Sequence, residues 1–393
     1  MKVLYINHVS PLAGSSRSLL ELLNCLPCSK VNKFVISPKG EFANEIIKNK
    51  IPFIQAFGIS QFCNTEYGYY RSTRWLILIR EFLFFLKSIL TFYNAKKKWG
   101  DFDIIHLNEM TLIPNIIILN LFFKNAKYVM HARSIQRTKE NFLLKFLNSV
   151  FKKYIDIIIA IDDNVYESLD QSLNKIKIHN SLDSRKVKIS KLKHKTFNIG
   201  MVGLLNKSKG CSVFIEAANL AKKNNFDLRF ILFGDLKNNE SLGIKFLKKI
   251  LFLNENNSNE LKQQILDLKL SKFVKIYPFE NDLNKIYNSI EVLCFPSLLF
   301  SPGRPVFEAG FYKIPSIVTI KKPKKDTFSP NVTGLLIKPY DSKDLLEKIL
   351  ILKNNKKLKN ELGMNAYKMS IKNFNANTNA KKIFNLYEKI IIK

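Results

Sequence analysis

Two successive series of short apolar runs, each run separated from the next by a helical pattern, most constrain the fold of this 393-residue chain. The first series is Val3 to Ile6, Phe34 to Ile36, Phe53 to Ala56, Ile104 to Leu107, Tyr128 to Met130 and Ile157 to Ile161. Strands alternating with helices form a parallel sheet with crossover helices, and near-continuous apolar strands require a sheet covered on both faces. The pattern lapses at Ser184-Arg-Lys-Val-Lys-Ile-Ser-Lys-Leu-Lys-His-Lys-Thr196, which reads as a linker. It restarts at Phe197 to Val202, Leu228 to Phe233, Val274 to Ile276, Val292 to Phe295 and Ile314 to Thr319. The expected class is therefore α/β, with two doubly wound domains over 1–190 and 191–375 facing each other across a cleft. A last helix lies within 376–393, with Ile383, Phe384, Tyr387 and Ile390 at helical spacing. Each half is long enough to bury its own core. Ligands of open parallel sheets bind beyond the carboxyl ends of strands, so chemistry-bearing motifs are sought there.

Lys and Arg total 63 against 32 Asp and Glu, a net charge of +31 that by itself suggests nucleic acid or an anionic membrane. The lysines, however, are spread over the whole chain, and Asn, Ile and Phe are also heavily used, as codon bias in an AT-rich genome would produce. No RNA-binding aromatic motif, zinc finger or helix-turn-helix signature is present, and no nucleic-acid partner is expected. The five Cys are scattered; Cys25-Leu-Pro-Cys28 has the spacing of a redox or metal pair but ends a helix with no second pair or nearby His. All five read as structural thiols of a reducing compartment, and no metal site is expected.

Lys2-Val-Leu-Tyr-Ile6 is too short for the apolar core of a signal peptide and reads as a first strand. No stretch reaches the roughly 18 uninterrupted apolar residues of a membrane span. The nearest, Leu112 to Phe123, is broken by Pro114 and Asn115. A cytoplasmic protein is expected. The segment from Arg74 through Tyr93 to Ala95-Lys-Lys-Lys-Trp99 is apolar around much of a helix, with Arg and Lys at intervals and Trp at both ends. It suits either an anionic membrane surface, which would make the protein peripheral on the inner face of the cell membrane, or a core helix with a solvated basic end.

The richest local pattern runs from Cys294-Phe-Pro-Ser-Leu-Leu-Phe300-Ser301-Pro-Gly303-Arg304-Pro305-Val306-Phe-Glu308 to Thr319: a strand, a Pro/Gly loop, an acid at the start of a short helix, and another strand. Pro305 suits the first helical turn, where its missing N–H costs nothing, and Glu308 suits the positive end of the helix dipole. Upstream, Gly203-Leu-Leu-Asn-Lys-Ser-Lys209-Gly210 follows a strand with a tight turn, a cation and a helix N-terminus, an arrangement that attracts a diphosphate. Phe233-Gly234-Asp235, Ile286-Tyr-Asn-Ser-Ile-Glu-Val-Leu-Cys-Phe-Pro-Ser297 and Asn331-Val-Thr-Gly334-Leu-Leu-Ile337 complete a series over most of residues 197 to 340.

In order and spacing these pieces resemble the retaining group 1 glycosyltransferases of bacterial envelope polysaccharide synthesis, whose fold is GT-B, two Rossmann-like domains. The resemblance implies that Lys209 and Gly210 receive the leaving diphosphate, with Gly203 at the turn. It implies that Glu308 accepts hydrogen bonds from the nucleotide ribose, and that Gly303, Arg304, Pro305 and Val306 bring backbone N–H groups to phosphate. Two departures stand out. The Arg that precedes Lys in relatives is Leu204 here, and the first Glu of the family's Glu-x7-Glu pattern is Phe300, so the donor-sugar position is altered, with Ser301 or a backbone group to hold the sugar hydroxyls.

In the first half, Gly14 within Pro11-Leu-Ala-Gly14-Ser-Ser-Arg17 matches the loop that relatives hold against the donor phosphate, although Ser15 or Ser16 equally suits a helix N-cap. Asp103-Ile-Ile-His106-Leu-Asn108-Glu109 and Lys127-Tyr-Val-Met-His131-Ala-Arg133 resemble the family's two strands ending in His. His131 matches the residue that contacts the donor sugar; His106 and Arg133 fall on the acceptor side. Asn180-Ser-Leu-Asp183 is similar to the segment ahead of the family's linker, and the last helix corresponds to one that crosses back to the first domain.

The implied activity is metal-independent hexosyl transfer, without cofactor, from a nucleoside-diphosphate sugar to a glycan or lipid-linked acceptor in capsule, lipopolysaccharide or exopolysaccharide synthesis. His131, Lys209 and Glu308 are its catalytic candidates. Phe300 and Leu204 leave open a catalytically impaired GT-B protein acting as a nucleotide-binding or scaffold subunit.

Overall fold

A computed structural model describes residues 1–12, 14–190, 195–235, 242–251, 253, 257–299 and 303–392, with the backbone alone at 242, 244, 245 and 249. The altered donor-sugar positions Phe300 and Ser301 lie outside the described residues. The chain divides into two compact units: Met1–Asp183 with Asn375–Lys393, and Ser184–Phe374.

The first unit is built on a seven-stranded sheet of β1 (Lys2–Ile6), β2 (Asn32–Pro38), β3 (Phe53–Ala56), β4 (Ile104–Leu107), β5 (Lys127–Ala132), β6 (Ile157–Ala160) and β7 (Lys175–Lys177). The order is β3-β2-β1-β4-β5-β6-β7, and every pairing is parallel. Successive side chains along each strand enter opposite cores. Val3 and Tyr5 join Leu19, Leu23 and Tyr387 on one face, while Leu4 and Ile6 join Phe92, Ile116 and Leu119 on the other. The same two-residue period sends His106, two after Ile104, and His131, two after Val129, toward the face covered by the helix Ala376–Ile392. That helix is tied in at its start by Ala376 N–H to the Leu182 carbonyl at 3.0 Å and by Asn379 Nδ2 to the His179 carbonyl at 3.1 Å. β7 was not expected: it is a three-residue edge strand, and a single Ile between two Lys carries no apolar run to read.

In the second unit β8 (Phe197–Val202), β9 (Leu228–Asp235), β10 (Val274–Pro278), β11 (Val292–Phe295), β12 (Ser316–Val318) and β13 (Gly334–Leu336) form a six-stranded parallel sheet in the order β10-β9-β8-β11-β12-β13. Its core gathers Phe214, Phe230, Ile199 and Val292, all fully buried; each such side chain contributes about 1.5–3 kcal/mol of transfer free energy. Strand order reverses between β1 and β4 in the first sheet and between β8 and β11 in the second. The loops after those strands part in opposite directions and leave a crevice at each switch point.

Two local expectations are corrected. The helix Gly14–Cys25 begins at Gly14, so Ser15 and Ser16 lie in its first turn and not at its N-cap; the Ser16 hydroxyl donates to the Pro11 carbonyl at 2.6 Å. The helix Arg304–Phe311 begins at Arg304 with Pro305 in its first turn, which places Glu308 one turn further in than expected and removes helix-dipole stabilisation as its reason for being there.

Candidate functional site

In the second unit β8 is followed by Gly203, whose φ of 137° lies where side-chain-bearing residues are strained. The chain then passes through a short 3-10 turn, Lys207–Lys209, into the helix Cys211–Lys223. The buried Asn206 shapes the turn, its Oδ1 accepting from Lys209 N–H at 3.1 Å and from the Ser208 hydroxyl at 2.8 Å. Gly210 is left-handed, and an added Cβ would meet the Pro296 carbonyl oxygen at 2.0 Å, so this glycine is required by the approach of the loop after β11. Leu298 N–H donates to the Ser208 carbonyl at 2.9 Å across the same approach.

Phe295, the last residue of β11, joins the two halves of this crevice. The Lys209 ammonium lies 5.4 Å from its ring centroid, and a Cβ on Gly303 would fall 2.3 Å from its ring. Burial lowers the pKa of Lys209, opposed only by a weak pull from Cys211, and no described carboxylate pairs with it. A desolvated ammonium without a counter-charge is stabilised by an anion that arrives.

Glu308 is buried, and both its carboxylate oxygens are held: Oε1 accepts from Arg304 Nε at 2.5 Å and Oε2 from the Tyr287 hydroxyl at 2.8 Å. Tyr287 is in turn stacked on Tyr312, centroids 5.0 Å apart, and the Tyr312 hydroxyl donates to Asn284 Oδ1 at 2.9 Å. Each carboxylate oxygen retains lone-pair capacity for a further donor. Val306 N–H is bonded to the Gly303 carbonyl at 3.0 Å and Pro305 has no N–H, so neither offers a ready backbone donor to a ligand at this helix start.

The first unit holds a different arrangement, a buried polar cluster at the ends of β1, β4 and β5. His106 Nδ1 lies 2.6 Å from the Tyr387 hydroxyl, whose oxygen is 3.4 Å from that of Tyr5. His106 Nε2 lies 3.3 Å from His131 Nδ1, and Arg133 Nη2 lies 3.4 Å from the same His131 nitrogen. A guanidinium only donates, so His131 Nδ1 accepts, and the single proton of the neutral ring sits on Nε2. His106 then donates from Nε2 and accepts the Tyr387 hydroxyl at Nδ1. Burial pushes the pKa of His106 down to about 3 and that of His131 well below its ordinary value, with Arg133 adding to both, so both rings are neutral. His131 Nε2 is buried and has no hydrogen-bond partner among the described residues. It is an N–H donor held ready for an acceptor.

Arg133 is fixed by Asn108 Oδ1 at 2.9 Å and Asn180 Oδ1 at 2.5 Å, and Asn108 by Asn7 Oδ1 at 3.0 Å, so the ends of β1, β4 and β5 form one polar network. Glu109 accepts from the backbone of Met110 at 2.9 Å, the Ser134 hydroxyl at 3.0 Å and the backbone of Arg133 at 3.3 Å, yet its burial still raises its pKa. Gly14 stands apart: an added Cβ would meet nothing within 4 Å, so internal packing does not require a glycine there.

The second unit thus gathers Gly203, Lys209, Gly210, Gly303, Arg304, Pro305, Val306 and Glu308 around one crevice, and the first gathers His106, His131 and Arg133 around another. Tyr287 and Tyr387, which orient Glu308 and His106, were not singled out as site residues. Tyr287 stood inside a quoted motif and Tyr387 on the apolar stripe of the last helix, and neither position signals a hydroxyl partner far away in sequence.

The two parallel α/β units have the GT-B fold. Superposition on HepE of Anabaena in complex with UDP and glucose gives a TM-score of 0.74 at 18% identity, covering 99% of each chain. A glycosyltransferase from Rickettsia africae gives 0.75 at 18% identity, covering 100% of this chain and 98% of that one. Residues 183–369, which span the second unit, match the family described as glycosyl transferases group 1. In sequence the chain is 24% identical over 212 residues to the capsular polysaccharide biosynthesis glycosyltransferase CapM of Staphylococcus aureus, a match spanning 53% of this chain and about half, 51%, of that relative. No helix among the described residues is long and apolar enough to cross a membrane.

Proposed function

We propose that the chain is a glycosyltransferase moving a hexose from a nucleoside-diphosphate sugar to a glycan or lipid-linked acceptor in envelope polysaccharide synthesis. The observation that carries the reading is the buried Glu308 carboxylate, aimed by Tyr287 and Arg304, at the same switch point as a desolvated Lys209 that no described carboxylate pairs with, in a unit that matches the group 1 family. UDP is the favoured nucleotide, because HepE, of the same fold, holds UDP and glucose.

In the proposed reaction the bond between sugar C1 and the diphosphate oxygen breaks, its electron pair leaving with the diphosphate. A bond forms from the acceptor hydroxyl oxygen to C1, and the hydroxyl proton passes to the departing diphosphate. Lys209, the Gly210 helix start and Arg304 stabilise the growing phosphate charge without a metal. Glu308 accepts from the ribose hydroxyls, and His131 Nε2–H donates to a hydroxyl of the sugar. As a neutral donor with its other nitrogen occupied, His131 holds the sugar and does not act as a base. Retention at C1 follows if acceptor and leaving group share one face of the sugar.

Calorimetric binding and turnover with UDP-, GDP-, ADP- and CMP-sugars test this, comparing wild type with Glu308→Gln and Lys209→Met. Saturable binding of one nucleotide, weakened in Glu308→Gln, is expected, with turnover falling about 100-fold or more in Lys209→Met. Binding without any turnover would assign a nucleotide-binding subunit instead. No binding of any nucleotide would overturn the assignment of Glu308.

A further inference from the structure

The helix Ile77–Trp99 in the first unit is turned inside out. Its buried face carries Glu81, Ser88 and Thr91 along with Ile77, Phe92 and Ala95, whereas Ile79, Phe82, Leu83, Leu86, Leu90 and Tyr93 face solvent. At 100° per residue those six fall within an arc of about 100°, a continuous stripe along the helix. Ile79 is 66% exposed and Phe82 61%. Trp75 and Leu76, in the 3-10 turn that leads into the helix, extend the stripe at one end. Two of the inward polar residues are bonded in place: Glu81 accepts from Gln61 N–H at 2.7 Å and from Arg80 Nε at 3.0 Å, and the Thr91 hydroxyl donates to the Lys87 carbonyl at 2.9 Å, while the Ser88 hydroxyl is buried with no partner among the described residues. The orientation is therefore fixed by the fold.

The stripe continues onto its neighbour. Tyr93 lies 6.3 Å from Phe122 of the helix Pro114–Phe122, on which Ile117 and Leu121 are also exposed. An apolar surface of this extent on a folded chain is a contact surface.

Charge selects the partner. Arg80, Lys87 and Lys98 form a row along one flank of the stripe and Lys97 stands at its end, and no described carboxylate pairs with Lys87, Lys97 or Lys98. The single acid between residues 71 and 99 is Glu81, which is buried. A second copy docking through this face would bring cations against cations with no acid to meet them. We infer that the surface of the helix Ile77–Trp99 seats the protein on an anionic lipid bilayer, the stripe entering the acyl boundary and the basic flank lying at the headgroups. The inference stands on this surface alone and holds whether or not the chain transfers sugar.

The test is co-flotation of the full chain with vesicles of phosphatidylcholine alone or mixed with phosphatidylglycerol, together with the emission shift of exposed Trp75. Wild type is expected to bind the anionic vesicles at least ten-fold more tightly than the neutral ones, with a blue shift. I79E/L83E/L86E, whose positions are exposed and leave the core intact, is expected to lose binding while keeping the circular dichroism of wild type. K87E/K97E/K98E is expected to weaken binding by roughly 5-fold or more per lysine. Glu308→Gln, which lies in the other unit, is expected to bind vesicles as wild type does, so a failed donor site and a failed membrane surface give different results. Equal flotation of wild type and I79E/L83E/L86E would overturn the inference. So would absence of flotation together with a concentration-dependent dimer that I79E/L83E/L86E dissolves.

Discussion

The two crevices solve opposite electrostatic problems. In the second unit a carboxylate is buried charged, and its charge is matched by a guanidinium one helical turn away and a tyrosine hydroxyl. In the first unit two imidazoles are buried neutral, and the proton each ring carries is directed by its neighbours. A charged pocket binds by attraction and is stable only while its partners remain. A neutral one offers a fixed donor and is stable only while it stays unprotonated. The difference predicts that acid should attack the first unit and that substitution at a single charge should hurt the second most.

The largest expected effect is that of pH. The folded pKa of His106 is pushed down to about 3, chiefly by burial, and that of His131 lies well below the ordinary value. The unfolded chain protonates these rings near pH 6.5, so below that pH it binds protons that the folded unit refuses. Stability is full above pH 6.5 and falls as pH drops toward the folded values, by about 1.4 kcal/mol per pH unit for each ring. Hydrogen exchange at pH 7, 6 and 5 should show peptides from residues 1–183 losing protection ahead of those from 184–374. Equal loss in both units would break the comparison.

Next is Glu308→Ala. Both partners of this ion pair are almost wholly buried, with side-chain exposures of 10% for Arg304 and 4% for Glu308. Removing the acid takes its carboxylate partner from a buried guanidinium and should cost about 3–5 kcal/mol in denaturant unfolding. Glu308→Gln and Tyr287→Phe should cost less, because the first removes charge without volume and the second only the bonds of one hydroxyl. A Glu308→Ala protein as stable as wild type would show that the pair is not what holds this crevice.

A smaller effect, about 1–3 kcal/mol, is expected for Tyr387→Phe, which leaves Nδ1 of His106 buried without its donor. Freed from that constraint, His106 can place its proton on Nδ1 and stop donating to His131. Nitrogen chemical shifts of the two rings should then report a change in His106, while Arg133 still holds the His131 proton on Nε2. An unchanged His106 spectrum would show that the tyrosine does not direct the proton.

These cases also mark what the sequence made legible. Most strands of both sheets could be read because they are apolar runs between helical patterns, whereas β7, a single Ile between two Lys, and β13, Gly334–Leu336, were not read as strands. The crevice of the second unit was readable as a cluster because its groups lie in two short segments after strands. Phe295 as the shared floor of Lys209 and Gly303 was not, since a ring at a strand end looks like any core residue. The pairing of Tyr387 with His106 spans 281 positions and appears only once the last helix is laid on the first sheet. The inverted helix Ile77–Trp99 was half legible: composition showed it apolar and basic, but only burial shows which face is turned outward.

The smallest effect on stability separates glycines that serve packing from a glycine that serves a ligand. Gly210→Ala should be strongly destabilising, because φ is 79° and the Pro296 carbonyl oxygen occupies the space of the methyl group. Gly14→Ala meets open space at the start of a helix, where alanine is the better helix former, and should leave stability unchanged or raise it by up to about 1 kcal/mol. If Gly14 is where a donor phosphate approaches the backbone, the same substitution should raise KM for the nucleotide sugar several-fold with little change in melting temperature. A rise in KM without a change in stability places Gly14 at the donor, and kinetics identical to wild type would leave the donor to the groups of the second unit.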